Sequence, residues 1–198
     1  MSKQTKDNST IRINNSIIMK KQIITATLAL GAILLGTNNV KAQNHTATTT
    51  VNIILSDVIS IDAGSVANGG IVDFNYVTAA DYNSTKTVNV PESLIVTSTK
   101  NFDVKVKADG ASFTDGTNNI PVNVLNIKAA TGGSMAGTQN TIELSTTDQV
   151  LIGNAPLGSA LTLDLDYEIL AAKSSSADIL GKPAGTYTQT VTYTATAL

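Results

Sequence analysis

Two clusters in this 198-residue chain carry residue types that could do chemistry. Asp164, Asp166 and Glu168 alternate with Leu163, Leu165, Tyr167 and Ile169, which places three carboxylates on one face of an extended strand. Successive side chains on such a face stand about 7 Å apart, too far for all three to chelate one cation directly. That spacing matches a pair of glycosidase carboxylates, yet residues on a single strand do not face each other across a substrate. A solvated strand face is the expected role. Gly132-Gly133-Ser134-Met135-Ala136 comes close to the G-x-S-x-G nucleophile elbow, but Ala136 stands where the motif needs its last glycine. No helical pattern follows it, so it reads as a loop. The one histidine, His45, makes neither a metal site nor a triad by itself. Asn44-His45-Thr46 and Asn83-Ser84-Thr85 are glycosylation acceptors only in a eukaryotic secretory route. Catalytic residues, metal and cofactors are therefore all expected to be absent.

Composition supports this. The chain is 42% hydrophobic and 14% charged, with no cysteine and no tryptophan. Without cysteine there are no disulfides, thiolate zinc sites or iron–sulfur clusters, so stability has to come from packing and backbone pairing. The apolar fraction and length suit one domain with a sizeable core.

The N-terminal region carries a targeting pattern. Residues 1–18 are polar, without periodicity, and precede an internal Met19; they are expected to be an upstream extension or a misassigned start. Residues 19–42 read as a signal peptide: Met19-Lys20-Lys21 is positive, Ile23 to Leu35 is apolar, and Val40-Lys41-Ala42 is a small-x-small cleavage site, cut between Ala42 and Gln43. The apolar run falls short of the roughly 20 residues that cross a bilayer, so export is expected, with no membrane span in the mature chain. Six of the 13 basic residues but only one of the 15 acidic ones lie in residues 1–42. The remainder thus carries seven basic and fourteen acidic residues, a formal charge of −7. Nucleic acid is not an expected partner of such a surface.

Beyond residue 43 the dominant period is two. Val51, Ile53 and Leu55, then Ile59 and Ile61, share one parity and read as a long half-buried strand. Val72, Phe74 and Tyr76 repeat the pattern, as do Leu94 with Val96, and Phe102, Val104, Val106 and Ala108. Leu161 to Ile169 alternates in the same way, and so does the run Tyr187, Val191, Tyr193, Ala195 and Ala197, with threonine at most intervening positions. Val122 and Val124 precede Ile127, where the parity slips and a β-bulge is expected. Ala171 to Leu180 allows one short helical turn. Asn68-Gly69-Gly70, Asp109-Gly110, Asp115-Gly116 and Lys182-Pro183-Ala184-Gly185 supply turns between the runs. Many short alternating strands spaced by such turns predict an all-β, Ig-like antiparallel sandwich.

The stretch Pro183-Ala184-Gly185-Thr186-Tyr187-Thr188-Gln189-Thr190-Val191-Thr192-Tyr193, with Gly185 fourteenth from the end of the sequence, follows an exported all-β chain that opens on alternating Thr, Val and Ile. In this the sequence resembles a chaperone–usher pilin of the archaic type, and the related spore-coat-protein-U domains, over residues 48–198. Leu94-Ile95-Val96-Thr97, Phe102 to Val106 and Val72-Asp73-Phe74 are similar in order and spacing to that family's middle strands. The chain departs from the pattern in lacking a cysteine pair and in having Ala197 where an aromatic is usual.

The resemblance implies a sandwich without its last strand, whose open groove is filled by strand addition from another chain. Residues 43–61 would then be the donor segment, with Val51, Ile53, Leu55, Ile59 and Ile61 entering a neighbour's groove, and residues 62–198 the pilin domain. At ~1.5–3 kcal/mol per side chain, five such insertions give an upper bound of roughly 8–15 kcal/mol. The acceptor side would be built on Gly185, Tyr187, Val191, Tyr193, Ala195 and Ala197. The implied partners are identical subunits in a surface homopolymer supporting adhesion and biofilm, with a periplasmic chaperone and an outer-membrane usher during assembly. The alternative is a secreted monomeric sandwich that binds carbohydrate or a cell surface, with residues 51–61 as its own first strand. Such a module needs exposed aromatic rings, and only Tyr82 and Phe113 fall in loops.

Overall fold

The architecture comes from a computed structural model that describes residues 46–62 and 70–198; the expected signal peptide through Ala42, the cleavage partner Gln43 and His45 lie outside that range. The chain divides after Ile53 into two units. In the first, residues 46–53 are exposed at every position and belong to no strand. The second, Ile54–Leu198, is an all-β sandwich.

Alternation builds its strands. In β3 (Phe102–Ala108) every second residue is buried, with Asp103, Lys105 and Lys107 on the outer face. Such a segment is stable only when its apolar face meets another sheet. The strands are β1 (Ile59–Ile61), β2 (Lys86–Ser98), β3, β4 (Ser112–Thr114), β5 (Asn119–Pro121), β6 (Asn126–Ala129), β7 (Thr138–Gln139), β8 (Ile142–Glu143), β9 (Gln149–Ala155), β10 (Gly158–Ile169) and β11 (Val191–Ala197). One sheet has the order β1-β2-β10-β6-β8, the other β11-β3-β9-β7, and β4 and β5 form a separate hairpin. All pairings are antiparallel. Leu94, Val96, Ile127, Leu163 and Leu165 of the first sheet and Phe102, Val104, Val106, Leu151 and Ile152 of the second form one core. A short helix, α1 (Ala171–Ser174), follows β10.

Three local expectations are corrected. Val122–Val124 is a single 3-10 turn with both valines buried, so the parity slip before Ile127 is a helical turn and not a bulge. Val72, Phe74 and Tyr76 do alternate inward, but residues 70–77 are assigned to no strand. Asp164 is not on a solvated face: it is only 9% exposed. Opposite it, Pro91, Glu92 and Ser93 of β2 bulge out between the pairs Leu163↔Leu94 and Leu165↔Val90, which is where a proline fits inside a sheet. The Glu92 N–H donates to Asp164 Oδ1 at 2.8 Å. Gly132 is at φ +129°, and a Cβ there would run into the Asp164 carboxylate. Asp166 and Glu168 are half-buried on the outer face, taking Asn89 Nδ2 at 2.8 Å and Lys128 Nζ at 3.3 Å. The loop after Gly132 is likewise structural: the Thr162 N–H donates to Ser134 Oγ at 2.9 Å, and Met135 is buried.

Candidate functional site: an open strand edge and its groove

β11 lies at the edge of its sheet, and its register shows which backbone groups are left over. Thr192, Thr194 and Thr196 stand opposite Lys107, Lys105 and Asp103. At the two ends Asp109 N–H donates to Thr190 O at 3.0 Å and Leu198 N–H to Asn101 O at 2.8 Å. Because antiparallel bonding alternates along a strand, the even-numbered residues bond β3. The N–H and C=O groups of Val191, Tyr193, Ala195 and Ala197 point to the open side. Among the described residues no backbone group pairs with them. The other outer strands described, β1, β7 and β8, have three residues or fewer, so β11 is the one long open edge among the described residues, a feature proteins ordinarily cover or shorten.

The segment 70–76 supplies a second edge. Its side chains alternate, with Val72, Phe74 and Tyr76 packed on the core and Ile71, Asp73, Asn75 and Val77 exposed, yet its backbone makes no ladder with any described strand. Its far end is fixed. Tyr76 donates to or accepts from Ser174 Oγ at 2.8 Å, and its ring packs on Tyr82 with centroids 5.0 Å apart. Asp81 takes Lys86 Nζ at 2.6 Å and the N–H groups of Val77 and Thr78. The Lys86 ammonium, followed by these N–H donors, holds the Asp81 carboxyl far below the usual carboxylate range.

Between the two edges runs a groove of about 340 Å³. Val72 and Phe74 form one wall, Thr190, Val191 and Tyr193 the other, and Phe113, Leu125 and Tyr167 reach it from the core. At its floor the Tyr167 and Tyr193 hydroxyls meet at 2.7 Å, joining the two sheets. Burial first, and then the neighbouring Tyr167, push the Tyr193 hydroxyl well above the ordinary tyrosine value. Gln189 braces the start of the wall: its Nε2 donates to Ser112 O at 2.6 Å and its Oε1 accepts the Thr190 N–H at 2.8 Å. The arrangement has no acid–base pair or metal cluster among the described residues. It offers apolar side-chain sites between two sets of backbone groups that pair with no other described residue.

The residues expected on the acceptor side separate into two sets. Val191, Tyr193 and Ala195 pack against the core beside the groove. Ala197 is exposed at the far end of β11, although its backbone is on the open edge. Gly185 and Tyr187 lie before the strand, beside Asp115, and Tyr187 donates to Pro183 O at 2.9 Å rather than entering the core. The expected donor residues separate as well. Val51, Ile53 and Leu55 are 77%, 82% and 86% exposed. Ile59 and Ile61 instead form β1 in the chain's own sheet, opposite Ser98 and Val96. The anchor begins one residue earlier, where Val58 N–H donates to Thr99 Oγ1 and Thr99 N–H to Val58 O, both at 2.9 Å, beside the Lys100–Asp57 ion pair at 2.6 Å.

Sequence reasoning missed Phe113, Leu125 and Gln189 as groove residues, since each comes from a turn or hairpin whose position depends on the whole sandwich. Compared with known protein families, curated proteins and solved structures, the chain matches none.

Proposed function

We propose that this chain is a structural subunit of an exported homopolymer, a pilus-type filament, in which residues 46–56 of one copy enter the groove of the next and pair with β11. The observation that carries the reading is the pair of facing extended edges with an apolar groove between them, in a chain that also has an exposed alternating apolar segment. Each supplies what the other lacks: the groove offers backbone groups and apolar sites, the segment exposed apolar side chains with neither ladder nor core among the described residues. Length agrees. Eleven residues extended at ~3.3 Å each span about 36 Å, against about 23 Å for the seven residues of β11. Strand addition of this kind gives main-chain affinity with side-chain pockets setting register. Passage across a periplasm with a chaperone covering the groove and an outer-membrane usher, and a role in adhesion and biofilm, belong to the same reading. The exposed large apolar side chains of the described residues are all aliphatic, which favours a strand-accepting surface over an aromatic sugar platform.

The test is deletion of residues 46–56. The remaining domain is expected to stay folded and monomeric, and a peptide of residues 46–57 is expected to bind it and raise its melting temperature. Loss of folding on deletion, or a peptide without effect, would refute the proposal.

A further inference from the structure

The sandwich has two poles with different apolar surfaces. At one, the chain passes from β2 to β3 through Thr99, Lys100 and Asn101, and Val58 is anchored there. Leu157 and Leu198 both donate their backbone N–H to Asn101, at 3.3 and 2.8 Å, and are 61% and 62% exposed. At the other pole, where β2 begins opposite Ile169, Leu170 and Leu180 flank the helical stretch that starts with α1 and are 41% and 56% exposed. Single exposed leucines are ordinary; two pairs gathered at opposite ends of one sandwich are a candidate interface.

The groove says what would cover them. Its β11 wall is residues 190–193, near the strand's start and thus toward the Leu170/Leu180 pole. A chain's own Leu55 lies three residues from the Val58 anchor, a reach of about 10 Å, whereas Val191 lies seven residues, about 23 Å, up the strand from Leu198. Leu55 of another copy is not so limited. With it in the groove, only Ser56 and Asp57 separate the inserted residue from the anchored Val58. The donor's Leu157/Leu198 pole is then held within about 10 Å of the acceptor's groove mouth.

We infer that Leu157 and Leu198 of one copy dock against Leu170 and Leu180 of the next, a head-to-tail contact that adds to strand insertion and rests on the reading proposed above. Such a heterologous contact repeats without closing and generates a filament.

The cysteine-free chain makes the test direct. Full-length chains with one cysteine at each pole (L157C/L170C, L157C/L180C, L198C/L170C and L198C/L180C) are expressed, and their surface filaments are sheared off, oxidised, and run unreduced on SDS gels before and after boiling. Disulfides need Cα atoms within about 7 Å. At least one pairing is expected to give a ladder that survives boiling and collapses with dithiothreitol, while each single-cysteine chain boils to monomer. An unheated ladder that boils to monomer in all four pairings would overturn the pole contact and leave strand insertion standing. Covalent dimers without higher rungs would overturn the head-to-tail arrangement. No unheated ladder from the cysteine-free chain would remove the strand-insertion reading and this inference with it.

Discussion

Substituting Ile53 and Leu55 together by serine tests the proposed insertion, in which these two side chains would enter the groove and Ile54 would face out. Both side chains are more than four-fifths exposed in the subunit, so insertion would transfer nearly all of each from water to protein. At ~1.5–3 kcal/mol per side chain, I53S/L55S should remove about 3–6 kcal/mol from the proposed joint between copies. The backbone ordering cost is the same with or without the substitution and cancels. With 1.4 kcal/mol per tenfold change, the joint should dissociate roughly 10²- to 10⁴-fold more readily. Ile54 is the control, being as apolar and 89% exposed but of the opposite parity, so I54S should change dissociation by less than about tenfold. The assay follows collapse of the unheated SDS ladder with temperature for the three chains. Equal loss from I54S and I53S/L55S, or no loss from either, would refute insertion with alternate residues inward. With Ile59 and Ile61 already packed in β1, the upper bound for the donor's apolar contribution falls from five side chains to three, about 5–9 kcal/mol.

The tyrosine bridge and the bulge give two further tests. Y193F keeps the ring but leaves the buried Tyr167 hydroxyl unpartnered, and should cost ~1–3 kcal/mol at neutral pH. Because the Tyr193 hydroxyl is raised in the folded state, its contribution is complete below the ordinary tyrosine value near 10 and is lost as pH climbs through the raised one. Denaturant titrations from pH 8 to 12 should show a steeper alkaline loss in the parent than in Y193F, and equal slopes would contradict the argument. G132A forces a Cβ onto the Asp164 carboxylate at a positive φ and should destabilise by more than ~1 kcal/mol. D164A loses a charged hydrogen bond worth ~1.5–3 kcal/mol. Melting of the double variant should fall short of the sum of the two, because the carboxylate is the obstruction; strict additivity would count against it.

Most of the fold was legible because its strands are half-buried and alternate: Phe102 to Ala108 and Leu163 to Ile169 face the core as their parity requires. Parity alone could not distinguish a paired strand from an extended segment without a ladder, so Val51 to Ile61 looked continuous although its last three residues join the sheet, and Val72 to Tyr76 looked like an ordinary strand. Asp164 was misread because its environment comes from Pro91-Glu92-Ser93 and Gly132, far away in sequence. The Tyr167–Tyr193 bridge joins different sheets, a contact no periodicity records. The resemblance named the C-terminal strand as an acceptor side, whereas the segment 70–76 across the groove reads in the sequence as one more alternating strand.

The brevity of β1 sets how a chain of linked copies would respond to being pulled. Tension on residues 46–56 enters each subunit at Val58 and passes into β1, whose three residues pair with β2. An inserted strand would pair along β11, an edge of up to seven residues. Both ladders have bonds perpendicular to the strands, so an axial load shears every bond of a ladder together, and the shorter ladder yields first. Under load β1 would slide free of β2 before the joint between copies parts. The released residues would lengthen the fibre, and it would act as a spring that recoils when β1 pairs again.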